Sequence, residues 1–196
     1  MCSRCWAYRP VLQKLREHLP AEIRWKNVLG GLAPDSDQPM PEATRQMVQA
    51  HWRQIQSSVG SEFNFDFWTR CQPRRDTYKA CRAVIAASFQ AAEERMIEAI
   101  QEAYYLRAMN PSEPATLAEL AGELGLDGSL FRRDLVSDRT EKEFQGQLAL
   151  RRELGVRSFP SLVLEQRGLL TPISHDYHDH GTSLAEIRKC LSTGDA

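Results

Sequence analysis

The sequence lacks any long apolar run and any strong imbalance of charge. None of its apolar stretches reaches the roughly 20 residues that a membrane-spanning helix needs. Its 25 basic and 26 acidic residues give a formal net charge of -1, so there is no electrostatic argument for binding nucleic acid or a membrane surface. We therefore expect neither nucleic acid nor a membrane as a partner.

Cysteine is also sparse, with five in 196 residues and a single closely spaced pair. This odd number does not suit a secreted domain held together by disulfides. No signal peptide, internal repeat or low-complexity tract is evident. These features favour a reducing, cytoplasmic location. A chain of this length can bury a sizeable core, in one domain or in one domain with an insertion.

What the sequence does contain is a Cys-x-x-Cys pair, Cys2 and Cys5. Two cysteines at this spacing can close a disulfide and reopen it, which transfers two electrons. Downstream apolar residues recur at helical spacing: Val11, Leu12, Leu15 and Leu19. The pair is therefore predicted to lie at a helix N-terminus, where free N–H groups and the helix dipole lower a thiol pKa. The charge of Arg4 should act in the same direction on Cys2.

Three other interpretations of the pair stay open at this point. The cysteines could be small buried side chains, or they could form a structural disulfide, or they could belong to a zinc site with four ligands. The spacing between Cys71 and Cys81 makes a poor second half of a zinc site, and no pair of histidines stands beside either. Redox chemistry is the interpretation that the residues favour.

A second informative segment lies near the C-terminus, where Phe159-Pro160 precedes an apolar run that is typical of a strand. A proline is tolerated at the first position of a strand because no ladder donor is needed there. An X-Pro bond can also be cis, and a cis-proline in a fold usually serves a purpose. The segment by itself does not decide between these two interpretations.

Together, the Cys-Ser-Arg-Cys-Trp motif at 2–6 and the Phe-Pro segment at 155–164 resemble the thioredoxin superfamily. The resemblance is closer to its DsbA-like branch, which includes FrnE-type and 2-hydroxychromene-2-carboxylate isomerase-type proteins. The turn at 29–32 and the helical segment 78–84 agree with it. The resemblance implies an α/β, thioredoxin-like fold with a large all-helical insertion. It also implies a protein-disulfide oxidoreductase.

The resemblance also implies a role for individual residues. Cys2 would be the nucleophile that forms the mixed disulfide, and Cys5 would be the partner that resolves it. Phe159-Pro160 would be a cis peptide against the cysteine pair, with backbone groups that hold the substrate. The residues assigned to substrate binding are Arg4, Trp6, Phe159 and Pro160. For Trp6, simple packing of an aromatic ring on the first helix is an equally good interpretation.

The chain is expected to divide into a frame and an insertion. Residues 1–33 would form the first part of the thioredoxin-like frame, 34–154 the helical insertion and 155–196 the second part of the frame. We expect a strand over 22–29 and place the insertion over the cysteine pair. Family members have a central strand that leads into the Cys-x-x-Cys helix, and here only Met1 precedes it. We therefore expect the natural protein to be longer.

No metal and no cofactor are expected beyond the redox-active disulfide, although glutathione could serve as a co-substrate. The expected partners are protein or small-molecule thiols and disulfides. One alternative is a glutathione-dependent isomerase or kappa-type glutathione transferase, in which the first motif position is commonly serine. Another is a non-catalytic binding module. The metal-capable run at 175–180 is expected to be a solvated loop, since polar runs usually face water.

Overall fold

The structure, a computed structural model, describes residues 1–193. Helices and strands follow one another in the order α1 (Ser3–His18), α2 (Glu42–Val59), α3 (Phe67–Arg70), α4 (Tyr78–Ser88), α5 (Glu93–Tyr105), α6 (Pro114–Glu123), α7 (Gly128–Leu135), α8 (Asp138–Glu153), β1 (Leu162–Gln166), β2 (Leu169–Ile173) and α9 (Gly181–Thr193). Between α1 and β1 the chain forms helices and no strand, apart from an isolated bridge from Pro39 to Arg74. Among the described residues no helix is long and apolar enough to cross a membrane.

Helix α1 connects the two halves of the molecule. Its buried residues, at helical spacing, are Ala7, Tyr8, Val11 and Leu15. At its C-terminal end, fully buried Leu15 packs with Ile173 of β2 and Ile187 of α9. At its N-terminal end, Ala7 packs against the helical block α2–α8. The start of α1 therefore lies where the hairpin side of the fold meets the helices.

Strands β1 and β2 form an antiparallel hairpin in which Leu162 lies opposite Ile173 and Gln166 opposite Leu169. The two residues of the turn, Arg167 and Gly168, have φ values of 55° and 81°. Positive φ at both positions is what a type I′ turn requires, and its twist matches that of the paired strands. The hairpin begins two residues after Pro160, so it fixes the direction in which the Phe159-Pro160 peptide approaches α1.

The strand expected over 22–29 is absent, and that expectation is wrong for the described chain. The sheet found among the described residues contains β1 and β2 alone. A strand needs a ladder partner for its backbone groups, whereas the N–H of Leu29 donates to Oε1 of Gln147 at 2.9 Å. The apolar residues of this segment still contribute to the hydrophobic cores, since Ile23 packs with the α1–β2–α9 cluster and Leu29 packs with the helical block.

Two large cores and a smaller one hold the helical block together. One large core joins small side chains on α4 to Met96 of α5, Leu117 of α6 and Phe131 of α7. The other, called here the aromatic cluster, consists of Trp52, Phe63, Phe67, Trp68, Tyr104 and Tyr105. Met1 packs against both large cores. The all-helical middle of the chain is thus as expected, while the boundaries at 33/34 and 154/155 stay a prediction.

Candidate functional site

The cysteine pair lies where the sequence places it, at the start of α1. Cys2 is the N-cap residue with extended backbone angles (φ -115°, ψ 118°), and Cys5 lies in the first turn. Both are partly buried free thiols. The Cys5 thiol hydrogen-bonds the Cys2 sulfur and lowers the pKa of Cys2 to about 6, against the opposing effect of burial. Backbone N–H groups of Cys5 and Arg4 act in the same direction.

The pKa of Cys5 changes in the opposite direction. The hydrogen bond that its thiol donates to Cys2 raises the Cys5 pKa well above the ordinary 9.0, and burial raises it further. At neutral pH the pair therefore consists of one thiolate and one thiol. A thiolate is the nucleophile in disulfide exchange, so the geometry at the helix N-terminus distinguishes Cys2 from Cys5 before any substrate arrives.

Phe159-Pro160 is a cis peptide, and it lies against the cysteine pair. The Sγ atom of Cys2 is 3.6 Å from the carbonyl oxygen of Phe159, across 157 residues of sequence. The prediction of a cis peptide in contact with Cys2 is therefore confirmed. Contact with the sulfur of Cys5 stays a prediction. The arrangement places the backbone carbonyl of Phe159 next to the reactive sulfur.

The turn at 30–31 holds Phe159 in place. Any Cβ added to Gly30 would collide with the ring of Phe159, so the ring packs directly on a backbone without a side chain. The carbonyl oxygen of Gly30 accepts a hydrogen bond from Nη1 of Arg151 at 2.7 Å. Gly31 has a φ of 58°, and a Cβ there would lie 2.5 Å from Cδ2 of Leu148. Glycine is therefore needed at both positions, and sequence reasoning gave neither a site role.

Trp6 joins the site to the helical block. Its ring stacks on that of Tyr105 with centroids 5.5 Å apart, and its Nε1 donates to the carbonyl oxygen of Glu62 at 3.0 Å. Tyr105 is fully buried. These contacts favour the packing interpretation of Trp6, while its contact with substrate stays a prediction. Through them the helical block reaches the residue next to Cys5, while the placement of the insertion over the cysteine pair stays a prediction.

The side chain of Arg4 is exposed, and its assignment to substrate binding stays a prediction. Arg4 contributes to the lowered pKa of Cys2 through its backbone N–H. Burial raises the pKa of Tyr177, and Arg4 opposes that rise both by its charge and as a hydrogen-bond donor. The expected effect of the Arg4 charge on Cys2 is thus replaced by an effect of its backbone.

The 175–180 segment is only in part the solvated loop that was expected. His178 and Asp179 are exposed. His175 and Tyr177 are partly buried, because their rings pack on buried Tyr8 of α1 at centroid distances of 5.0 and 5.8 Å. Sequence reasoning missed Tyr177 as a neighbour of the pair; its one signal was an aromatic residue within a polar run. The described residues contain no cluster of three or more metal-binding side chains.

Cys71 and Cys81 do not extend the pair. The Sγ atom of Cys71 donates to the carbonyl oxygen of Ala108 at 3.1 Å, and burial raises the pKa of this thiol. Burial also raises the pKa of Cys81, which packs beside a small core formed by Ile85 and Phe144. A raised pKa keeps both as thiols, so neither shares the reactivity of Cys2 at neutral pH.

Comparison with known proteins agrees with this geometry. A family model described as Thioredoxin matches residues 1–168. The chain belongs to the thioredoxin family. The crystal structure of a Nitrosomonas europaea protein, described as a candidate protein disulfide isomerase, superposes with a TM-score of 0.83 at 25% identity and covers 98% of this chain and 94% of its own. Cytosolic disulfide reductase DsbM from Pseudomonas aeruginosa gives 0.75 at 25% identity, with coverage of 99% and 94%.

Curated relatives carry a different name. ClpXP adapter protein SpxH of Bacillus subtilis is 27% identical over 198 residues, which cover 95% of this chain and 64% of the relative. SpxH of Halalkalibacterium halodurans is 23% identical over 189 residues, with coverage of 91% and 61%. The chain thus spans less than two thirds of these relatives. The comparisons confirm the DsbA-like resemblance and the thioredoxin-like fold with its helical insertion.

Proposed function

We propose that this protein is a thiol–disulfide oxidoreductase that exchanges disulfides through its Cys-Ser-Arg-Cys site. The observation that carries the proposal is the asymmetry of the pair: the pKa of Cys2 is lowered to about 6 and that of Cys5 is raised. The carbonyl of Phe159, 3.6 Å from the Cys2 sulfur, supports it further. The similarity to a disulfide reductase and to a candidate disulfide isomerase agrees with this chemistry at the level of class.

The exchange takes two steps. The Cys2 thiolate attacks one sulfur of a substrate disulfide, which forms a mixed disulfide and expels the other sulfur as a thiolate. Cys5 then gives up its proton and attacks the Cys2 sulfur, which closes the Cys2–Cys5 disulfide and releases the second substrate thiol. The substrate disulfide is reduced by two electrons and the enzyme dithiol is oxidised by two. A thiol reductant returns the enzyme to its dithiol form by the reverse steps.

The direction of net exchange depends on the reduction potential of the pair relative to that of its compartment. Stabilising the Cys2 thiolate stabilises the reduced enzyme, which makes the disulfide form a better oxidant. We propose a cytoplasmic location, because the structurally similar DsbM is a cytosolic disulfide reductase. Protein or small-molecule disulfides are the proposed substrates, and glutathione is a proposed co-substrate in view of the DsbM structure with GSH.

Protein binding without catalysis is a second candidate function, because the curated relatives are named as adapter proteins. In that case the helical block would hold a partner and the cysteines would be dispensable. A glutathione-dependent isomerase or transferase is less favoured, because both motif positions are cysteine and only one is a thiolate. Replacing Cys2 separates these functions.

The test is insulin reduction with dithiothreitol as the electron donor. Cys2→Ser should abolish catalysed reduction. Reduced Cys5→Ser, mixed with insulin after the dithiothreitol has been removed, should accumulate mixed disulfides that are visible on a non-reducing gel. Cys71→Ser is the matched control, because this thiol lies outside the pair and should be dispensable. Full turnover by Cys5→Ser would contradict the dithiol mechanism. Two results for the wild-type protein would together favour the binding module. One is no insulin reduction, and the other is a Cys2 alkylation midpoint near pH 9.0, the ordinary thiol pKa.

A further inference from the structure

Two histidines far apart in sequence meet at the end of α1 that lies away from the cysteine pair. His18 is the last residue of α1, and His180 directly precedes α9. Their rings lie 4.9 Å apart between centroids and are tilted by 44°. His180 is also the last residue of the metal-capable run at 175–180. The fold thus gives one member of that run an imidazole neighbour from another element.

Both histidines are attached to backbone that is held in place. Buried Leu15 of α1 packs with Leu184 of α9 in one hydrophobic core. The carbonyl oxygen of His180 accepts the backbone N–H of Leu184 at 3.1 Å, and Oδ1 of Asp179 accepts the backbone N–H of Gly181 at 2.8 Å. The distance between the two rings is therefore set by the contact between α1 and α9.

Each imidazole has one nitrogen next to an oxygen acceptor and the other nitrogen available. Nδ1 of His18 lies 2.8 Å from the carbonyl oxygen of Lys14, which can only accept, so Nδ1 carries the proton of the neutral ring. Nδ1 of His180 lies 4.0 Å from Oδ1 of Asp179. None of the described residues hydrogen-bonds either Nε2 atom. Histidines that bind metals have this arrangement, with one ring nitrogen directed at a carbonyl or carboxylate.

The distance between the rings suits one ion held by both. A metal that bonds an imidazole nitrogen at about 2.0–2.1 Å lies about 3.2 Å from the ring centroid, so two ligating rings at a near-tetrahedral angle have centroids about 5 Å apart. The observed distance is 4.9 Å. His18 is exposed, and His180 has 29% of its side chain exposed. An ion can therefore enter from solvent, and water can complete its coordination.

We propose that His18 and His180 form a two-histidine site for a divalent transition-metal ion that imidazole prefers, such as Zn²⁺. The bound ion would link the end of α1 to the start of α9. Two protein ligands are fewer than the three or four of a catalytic or structural zinc site, so the ion is exchangeable. Because the site lies at the far end of α1 from Cys2, the ion stabilises the helix and takes no part in disulfide exchange. This inference does not depend on the proposed function.

The test is zinc binding by the full chain, measured by isothermal titration calorimetry with zinc chloride at about pH 7.5, where imidazole is neutral. The parent protein carries Cys2→Ser and Cys5→Ser, because thiolates are themselves zinc ligands. His18→Gln and His180→Gln should each weaken zinc binding at least about tenfold, since losing even an outer partner of a metal ligand costs about 10–100-fold. Both changes together should weaken it little further, because either one alone breaks the chelate.

Two other histidines provide matched controls. His178 is exposed in the same polar run, and His51 is exposed on α2, so His178→Gln and His51→Gln should leave the affinity unchanged. Zinc should also raise the urea midpoint of unfolding of the parent protein, because a ligand that binds only the folded chain stabilises it. That rise should disappear in His18→Gln.

Three results would overturn the inference. The first is no zinc binding by the parent protein. The second is a loss of affinity in His178→Gln as large as that in His18→Gln, which would place the ion in the loop alone. The third is zinc binding that leaves the urea midpoint unchanged, which would mean that the ion does not link α1 to α9. None of these results bears on insulin reduction, so the proposed function is tested separately.

Discussion

The thiol of Cys5 should control the reactivity of Cys2, and this can be tested with two substitutions at one position. The hydrogen bond from the Cys5 thiol is the largest cause of the lowered Cys2 pKa. Cys5→Ala removes the donor, whereas Cys5→Ser replaces it with a hydroxyl that can donate to the same sulfur. Both variants leave Cys2 without its resolving thiol, so they differ chiefly in the hydrogen bond.

The size of the effect follows from the energy of that bond. A hydrogen bond to a charged group contributes about 1.5–3 kcal/mol, which corresponds to roughly one to two pKa units. Starting from a Cys2 pKa of about 6, Cys5→Ala should move the pKa to roughly 7–8. Cys5→Ser should stay near 6, because a hydroxyl donates at least as well as a thiol. At pH 7, wild-type Cys2 should be about 90% thiolate.

The assay is the rate of alkylation by iodoacetamide between pH 4 and pH 10, followed for the Cys2 peptide by mass spectrometry. Tracking one peptide keeps the other cysteines from contributing to the signal. Cys71→Ser is a control that should not move the midpoint. If Cys5→Ala and Cys5→Ser share the wild-type midpoint, the hydrogen bond does not set the Cys2 pKa and the reasoning above is refuted.

Three further predictions concern stability and packing. Gly30→Ala should lower the free energy of unfolding in urea by about 1–3 kcal/mol, because its Cβ collides with the Phe159 ring. The control is Gly146→Ala, in open space on α8, which should instead raise the free energy of unfolding by about 0.5–1 kcal/mol. Trp6→Phe keeps a ring on the aromatic cluster but loses one hydrogen bond, so it should cost about 1 kcal/mol and leave Cys2 alkylation unchanged. The folded-state pKa of Cys2 lies below its unfolded value, so Cys2 adds stability that is fully present above about pH 9 and is lost as the pH falls to about 6. The stability of reduced wild type relative to Cys2→Ser should therefore rise between about pH 6 and pH 9 and be level below pH 6; a difference that is flat over the whole range would contradict this.

The two segments that form the site, the cysteine pair and the Phe-Pro dipeptide, could be predicted from sequence because each carries a local signal. The spacing of Cys2 and Cys5 ahead of an apolar helical face predicts both the helix and the position of the pair at its N-terminus. The Phe-Pro dipeptide before an apolar run predicts a peptide that can be cis at the start of a strand. Their contact, at 3.6 Å across 157 residues, came from the family resemblance, because no local pattern encodes it.

Other parts of the fold could not be predicted, since they depend on partners far away in sequence. The apolar residues of 22–29 fit a strand, but a strand also requires a neighbouring backbone, and here the N–H of Leu29 bonds to a glutamine side chain. The polar run at 175–180 looks solvated until α1 supplies Tyr8 as a packing surface for Tyr177. Gly30 carries no signal by itself, because its role is defined by the ring of Phe159 above it.

The site is built from parts that depend on different contacts, so their failures should be separable. The thiolate at Cys2 depends on groups within the first turn of α1, chiefly the thiol of Cys5. The carbonyl beside it depends on Phe159, and thus on the turn at Gly30 and on Arg151 of α8, which bonds to that turn. A change at Gly30 should therefore disturb substrate docking without moving the Cys2 pKa, whereas a change at Cys5 should do the reverse. Reactivity and recognition can vary independently in this arrangement.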